Sequence, residues 1–329
     1  MEQTIAVLGA GTMGHGIAQL LAQSGSRVYL YDPSEEALER AMQKIRSNVA
    51  VIRSERWGDC PSEDRVLGRI VCTPDPVAAV AGASIVIEAA PEKLELKREL
   101  YRLIERGIRA DAIVASNTSS YVPEQLVEGM TFAHRFVVAH FFNPAHLVPL
   151  VEIVLHPQTN RQTAEPLIRL LEACGKSPVV LSANVAGFIA NRLQAALLRE
   201  AVHLLESGVA SAREIDLAVT EGPGLRWALS GPLATADYGG LDVWERVSDR
   251  LFPELDTRTE APESIRRLVR GQRLGVKSGG GFFEYPDGDA NGADHGLPDG
   301  VQDAVEQRDR KLIRLMMVKN DTWTGGDAQ

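Results

Sequence analysis

A chain of 329 residues is too long for one ordinary core and too short for three, so its length predicts two domains. With 44% hydrophobic and 24% charged residues it has the make-up of a folded globular protein, and a formal charge of −9 argues against a nucleic-acid or anionic-membrane surface and for small-molecule chemistry. Cys60, Cys72 and Cys174 are widely separated and lack C-x-x-C pairing, so neither a metal site nor redox work is expected of them.

The chain enters its first strand at once, without a signal peptide's basic and apolar regions. No apolar run reaches the roughly 18 residues of a spanning helix, so a cytoplasmic location with no membrane partner is expected. Strands are predicted at Thr4–Leu8, Arg27–Tyr31, Ile70–Thr73, Ser84–Glu88, Ile113–Ser116, Phe136–Ala139, Val151–Val154 and Pro178–Leu181, with helical runs between most of them. That alternation is the signature of βαβ units and a mostly parallel sheet. In Ser34–Arg53 the apolar residues Ala37, Leu38, Ala41, Ile45, Val49 and Ile52 make one helix face, an excursion from the sheet over residues 34–69. After about Ala183 the strand signals stop. The run Ala186–Ser207 places Ile189, Leu193, Ala196, Leu197, Leu204 and Leu205 on one stripe expected to be buried.

The expected architecture is therefore α/β: a Rossmann-type, mostly parallel sheet domain over 1–183, followed by an all-helical domain over 184–285. Pro286–Val301, rich in Gly, Asp and Pro, is expected to be a mobile loop within a 286–329 tail, with one more short helix at Arg308–Lys319.

The run IAVLGAGTMGHGIAQLLAQSG (Ile5–Gly25) sets Gly9, Gly11 and Gly14 in G-x-G-x-x-G spacing, with Thr12 and Met13 between the last two, directly after a strand and opening an apolar-faced helix. Gly9 permits the tight turn, Gly11 lets the backbone approach a pyrophosphate, and Gly14 lets helix and strand pack closely. The helix N-terminus supplies unpaired N–H groups for the phosphates. The second strand leads into Asp32, placed to bond ribose hydroxyls and to repel a 2′-phosphate. No arginine follows at Pro33 or Ser34, so the cofactor expected is NAD. The competing reading is that the glycines only form a tight turn and that Asp32 caps a helix.

Two further segments fall where loops after sheet strands converge. In ASNTSS (Ala115–Ser120), Ser119 or Ser120 can turn a hydroxyl into the cleft, or the hydroxyls can serve as turn and cap residues. In AHFFNPAHLVPLVEIV (Ala139–Val154), His140 and Glu152 face each other across an Asn-Pro turn. Oxidation of an alcohol by NAD needs a base for the hydroxyl proton, and histidine titrates in the right range. A carboxylate behind it fixes the tautomer and stabilises the imidazolium. On spacing alone, a histidine at a strand end is more often structural, and His134, His146 and His156 have weaker cases. Asn191, on the apolar stripe of GFIANRLQAALLREAVHLL, either faces a cleft or satisfies buried backbone.

Taken in order, GAGTMGHGIAQ, Asp32, EAAPEKLELK, SNTSS, HFFNP with LVEIV, and GFIANRL resemble the motif set of the L-3-hydroxyacyl-CoA dehydrogenases, from Ile5 to about Tyr285. The resemblance implies that His140 is the general base, Glu152 its partner, and Ser119 and Asn191 the groups that bind the reacting oxygens. It also implies that Glu92, Lys97 and Asn117 line the cofactor side, and that the protein is a homodimer through its helical domain. Acyl-CoA is the substrate it implies, through oxidation of the C3 hydroxyl. Two departures point to the branch acting on CoA-free substrates such as gulonate, carnitine or pyridine-derived alcohols. One is GLRWALSGPLATADYGGLD (Gly224–Asp242). The other is a helical excursion with only Lys44, Arg46, Arg53 and Arg56, Glu55 among them. A non-catalytic dinucleotide-binding protein is the remaining alternative, and the combined Ser119, His140, Glu152 and Asn191 set argues against it.

Overall fold

The computed structural model describes residues 3–285 and 299–321, with side chains assigned through Tyr285 and over 305–319. Eight strands form one sheet: β1 (Thr4–Leu8), β2 (Arg27–Tyr31), β3 (Ile70–Thr73), β4 (Ile85–Glu88), β5 (Ile113–Ser116), β6 (Phe136–Phe141), β7 (Leu150–Leu155) and β8 (Ser177–Val180). Their spatial order is β3-β2-β1-β4-β5-β6-β7-β8. The strands through β6 run parallel, β7 is antiparallel to β6, and β8 is parallel to β7. The mostly parallel sheet is as expected, and its strands lie within two residues of the predicted ends.

Helices of eight residues or more are α1 (Gly14–Gln23), α2 (Glu35–Ser54), α3 (Leu94–Ile104), α4 (Arg161–Ala173), α5 (Ala190–Glu206), α6 (Ala212–Thr220), α7 (Pro223–Gly239), α8 (Leu241–Leu251), α9 (Glu263–Arg270) and α10 (Asp299–Asp321). Helix α2 starts where Ser34 Oγ accepts from Ala37 N at 3.2 Å, and it buries Leu38, Ala41, Ile45, Val49 and Ile52. Both sheet faces are covered, which is why β1 and β4–β6 read as mostly apolar runs, with Glu88, Ser116 and His140 confined to their carboxyl ends. Ile5, Val7, Ile87, Val137 and Ile153 pack on one side with α1, α2 and α4. Ala6, Leu8, Val86, Val138 and Val154 pack on the other with Leu100, Tyr101 and Ile104 of α3.

The chain divides into two compact bodies, the first reaching Ala190 and taking in Leu312–Arg314, the second beginning at Asn191. Among its described residues the second body has helices and no strand beyond isolated bridges at Gly275, Gly280 and Glu284. Within α7, Gly231 adopts φ +70° ahead of Pro232, and the helix kinks there.

Two expectations change. The stripe expected to be buried on α5 is largely uncovered: Leu193 is 56% exposed and Leu197 40%, while Val202 is buried. Few apolar residues of this body close over one another, so amphipathic periodicity marks a face without saying that this chain covers it. The last helix spans Asp299–Asp321, longer than predicted, and takes in the end of the supposed loop. The rest of that loop, 286–298, lies outside the described residues. Among the described residues no helix is long and apolar enough to cross a membrane.

Candidate active site

Strand β1 sits between β2 and β4, and the chain leaves it toward opposite edges of the sheet, so a crevice opens at the carboxyl ends of β1 and β4. At the end of β1, Gly9 turns the chain with φ +109°, and a Cβ there would lie 2.6 Å from the Ala89 carbonyl oxygen. A Cβ on Gly14 would lie 1.7 Å from the Gly9 oxygen, so α1 packs directly on the turn. Gly11 is exposed, with nothing within 4 Å of where its Cβ would stand. With exposed Thr12 and half-buried Met13 it leaves the start of α1 open to an anion. Asp32 braces this turn: Oδ2 accepts from Ala10 N at 2.9 Å and Oδ1 from Ser34 N at 3.1 Å. The half-buried carboxylate keeps lone pairs for a ribose diol. This turn fits the diphosphate and adenosine ribose of NAD. His15 follows, its pKa lowered by burial, with Nδ1 2.8 Å from the Gly11 oxygen.

Beside this turn, β4 ends in Glu88, a carboxylate buried at the rim of an apolar strand. Its Oε1 accepts from Lys97 Nζ and Ala90 N, both at 2.7 Å, and its Oε2 accepts from Tyr101 Oη at 2.7 Å and Ser116 Oγ at 2.6 Å. A buried charge is tolerable only when satisfied in this way. Lys97 also reaches the Ala90 oxygen at 3.1 Å and Glu92 at 3.3 Å. Its ammonium is therefore an internal clamp on the 88–92 loop. Glu92 Oε1 accepts from Thr118 Oγ1 at 2.5 Å and from Ser119 N and Ser120 N, both at 3.0 Å. Burial works to raise the Glu92 pKa, but the Thr118 bond and the Lys97 charge outweigh it and hold the carboxyl below its ordinary range. The loops after β4 and β5 are thus tied together through one carboxylate.

His140 and Glu152 are register partners on β6 and β7. Antiparallel pairing puts them on one face at one end of the sheet, with His140 Nδ1 2.9 Å from Glu152 Oε2, both residues buried. Phe142 meets the imidazole edge-on at 4.5 Å between ring centroids, and Phe188 lies at 5.5 Å. The other carboxylate oxygen, Oε1, accepts from Ile189 N at 2.8 Å and Ala190 N at 2.9 Å, at the start of α5. Phe188 takes φ +50°, a conformation non-glycine residues rarely adopt. It directs those two N–H groups at Glu152.

The structure thus brings His140, Glu152, Asn117 and the 88–92 loop to the carboxyl ends of β4, β5 and β6. Asn117 Oδ1 accepts from Phe141 N at 2.8 Å, bracing the strand end next to His140. Ser119 is half-buried, with its hydroxyl 3.4 Å from Ser120 Oγ. Asn191 opens the second body, directly after the two residues that bond Glu152. Sequence reasoning missed Glu88, Tyr101 and Ser116, although an acidic residue ending an otherwise apolar strand was a visible signal. The positive φ of Phe188 left no signal beyond the preceding Gly187. Among the described residues no cluster of His, Cys, Asp or Glu could hold a metal ion.

Residues 4–185 match the family described as 3-hydroxyacyl-CoA dehydrogenase, NAD binding domain, and residues 187–285 match its C-terminal domain. Among solved structures, 5-formyl-3-hydroxy-2-methylpyridine 4-carboxylic acid 5-dehydrogenase, an NAD+-dependent dismutase, is 33% identical. The match has a TM-score of 0.86 and covers 97% of this chain and 99% of the other. L-carnitine dehydrogenase of Streptomyces griseus is 35% identical over 95% of this chain and 88% of its own. The mitochondrial hydroxyacyl-coenzyme A dehydrogenase of Sus scrofa is 34% identical over 85% of this chain and 90% of its own.

Proposed function

The chain belongs to the 3-hydroxyacyl-CoA dehydrogenase family, and from that membership we propose that it oxidises the secondary alcohol of a small, CoA-free hydroxy acid, with His140 as general base. It is an NAD-dependent oxidoreductase acting on CH–OH groups. The observation that carries the catalytic reading is the His140–Glu152 pair at 2.9 Å, packed beside the loops after β4 and β5. With Nδ1 held by the carboxylate, Nε2 is the nitrogen that takes the hydroxyl proton. Bound NAD supplies the acceptor for the hydride that leaves the same carbon. Glu152 stabilises the imidazolium that forms. Its bonds from Ile189 N and Ala190 N keep that carboxylate in place through the step. Ser119 and Asn191 are the groups we assign to the substrate oxygens, and Glu92 and Asn117 to the wall on the cofactor side, with Lys97 holding that wall from within through Glu88 and Glu92.

The CoA-free reading is supported by how far the likeness extends. It covers 97% of the chain in the pyridine-carboxylate enzyme and 95% in the carnitine enzyme, against 85% in the mitochondrial CoA enzyme. At the end of α2, where the basic residues are few, Arg314 is engaged by Glu55 at 2.7 and 3.1 Å rather than left to a phosphate. The second reading, a short 3-hydroxyacyl-CoA, is favoured by the SNTSS and HFFNP segments around the reacting carbon. The deciding experiment assays acetoacetyl-CoA reduction beside NAD-dependent oxidation of L-gulonate, L-carnitine and 3-hydroxybutyrate. Turnover of a CoA-free alcohol with inert acetoacetyl-CoA is the expected result. Efficient acetoacetyl-CoA reduction alone reverses the substrate assignment and leaves the mechanism standing.

We also infer that the protein is a homodimer through the second body, supported by exposed Leu193, Leu229, Leu233 and Tyr238, the last two 83% and 82% exposed.

A further inference from the structure

Lys176 precedes β8 and belongs to neither the catalytic pair nor the dinucleotide turn, yet it is a buried cation. Its Nζ donates to the carbonyl oxygens of Ala145 and Val148, both at 2.7 Å, and among the described residues it forms no ion pair with a carboxylate. The ionisable groups around it are the Cys174 thiol at the end of α4, which donates to Ser24 Oγ at 3.1 Å, and His146 on the gripped turn itself. Burial lowers the Lys176 pKa to about 8, the Cys174 charge working in the opposite direction. Replacing water around an ammonium with two carbonyl dipoles is costly. A methionine would fill the same space without that desolvation but would offer the two carbonyl oxygens no donor, so the ammonium has a role beyond packing.

The gripped segment suggests that role. Residues 142–149 join β6 to β7 and so join His140 to Glu152. Inside them Leu147 N and Val148 N both donate to the Pro144 oxygen at 3.0 Å, closing a single tight turn. The same turn rests on α1: a Cβ added to Gly16 would lie 3.3 Å from Ala145 Cβ and 3.4 Å from His146 Nδ1. One buried ammonium therefore holds the connection between base and carboxylate against the helix that opens at the dinucleotide turn.

We propose that Lys176 is a positioning residue for the reaction, gripping the Ala145 and Val148 carbonyls so that the turn between His140 and Glu152 keeps one seat against α1. The proposal rests on His140 being the base. Its test pairs Lys176→Met and Lys176→Arg with His140→Gln. Hydrogen exchange of peptides covering 142–149 and NADH affinity are measured without substrate, and kcat with the four substrates named above. In Lys176→Met the turn exchanges at least about tenfold faster and kcat falls about 10- to 100-fold, the usual range for a small misplacement of catalytic groups. NADH affinity stays within about twofold, and Lys176→Arg, which keeps the charge, recovers most of the loss. The wild type shows a change in kcat centred near pH 8 that Lys176→Met lacks.

Unchanged exchange, or faster exchange with wild-type kcat, overturns the proposal. Should Lys176→Met fail to fold, exchange of the wild-type turn between pH 7 and 9.5, corrected for intrinsic rates, decides. Protection that rises as Lys176 loses its proton, as linkage requires of an amine whose pKa is lowered in its seat, supports the grip, and constant protection refutes it. A fully active His140→Gln overturns the base assignment, whereas the exchange data judge Lys176 independently.

Discussion

His140 offers Nδ1 to Glu152, and a glutamine at position 140 keeps the size and polarity of the site while removing the proposed base. His140→Gln is expected to retain the fold and NADH affinity and to lose roughly 10²–10⁴ in turnover; wild-type turnover across pH would make His140 structural. Glu152→Gln acts in the same direction for a different reason. The carboxylate accepts from His140, Ile189 N and Ala190 N with two oxygens, and an amide has one acceptor oxygen to share among them. Asp32→Ser is expected to raise the use of NADP relative to NAD, because it removes the carboxylate that repels a 2′-phosphate. Equal use of both cofactors by the wild type would remove Asp32 from that role. At this scale the cross-strand pair could be read from two residues flanking an Asn-Pro turn. The bonds from α5 to Glu152 could not, because they depend on the positive φ of Phe188. Lys97 looked like a residue facing the cofactor, and its ammonium turns inward to Glu88, a partnership that spacing does not reveal.

Elements carry their own predictions. The 88–92 loop is tied to α3 by the buried Lys97–Glu88 pair. Lys97→Met leaves a buried carboxylate without its cation and is expected to destabilise the protein by about 3–5 kcal/mol. Adding Glu88→Gln should restore part of this, and urea unfolding of the single and double variants measures the difference. Lys176 acts oppositely on stability and pH. Unfolded, it keeps its proton to its ordinary 10.5, and in the fold only to about 8. Between those values the unfolded state binds more protons, so this group's contribution rises with pH and is lost as pH falls through 8, with a slope of at most about 1.4 kcal/mol per pH unit. The wild type should therefore gain on Lys176→Met between pH 8 and 10; a constant gap would refute the titration. The strands were legible almost to the residue because buried parallel strands are short apolar runs between turn signals. The length of α10 was not, since its period is carried by few apolar residues among many charges.

For the molecule as a whole, the passage from a sheet body to a helical one was foreseen from the point where strand signals end. The openness of the second was not, because periodicity reports a face and not its cover. Light scattering at micromolar concentration is expected to give the mass of a dimer, and Leu193→Asp with Leu197→Asp to give a monomer that still binds NADH. A wild-type monomer would remove the assembly from the proposal. The sheet order has a last consequence, for the sequence of events in folding. His140 and Glu152 stand 12 residues apart on one hairpin, whereas the crevice between β1 and β4 requires Ile5 to find Ile85 across two intervening strands. Loop closure favours the nearer contact. The chain should thus be able to set the pair proposed for proton transfer before it has a place to hold a dinucleotide.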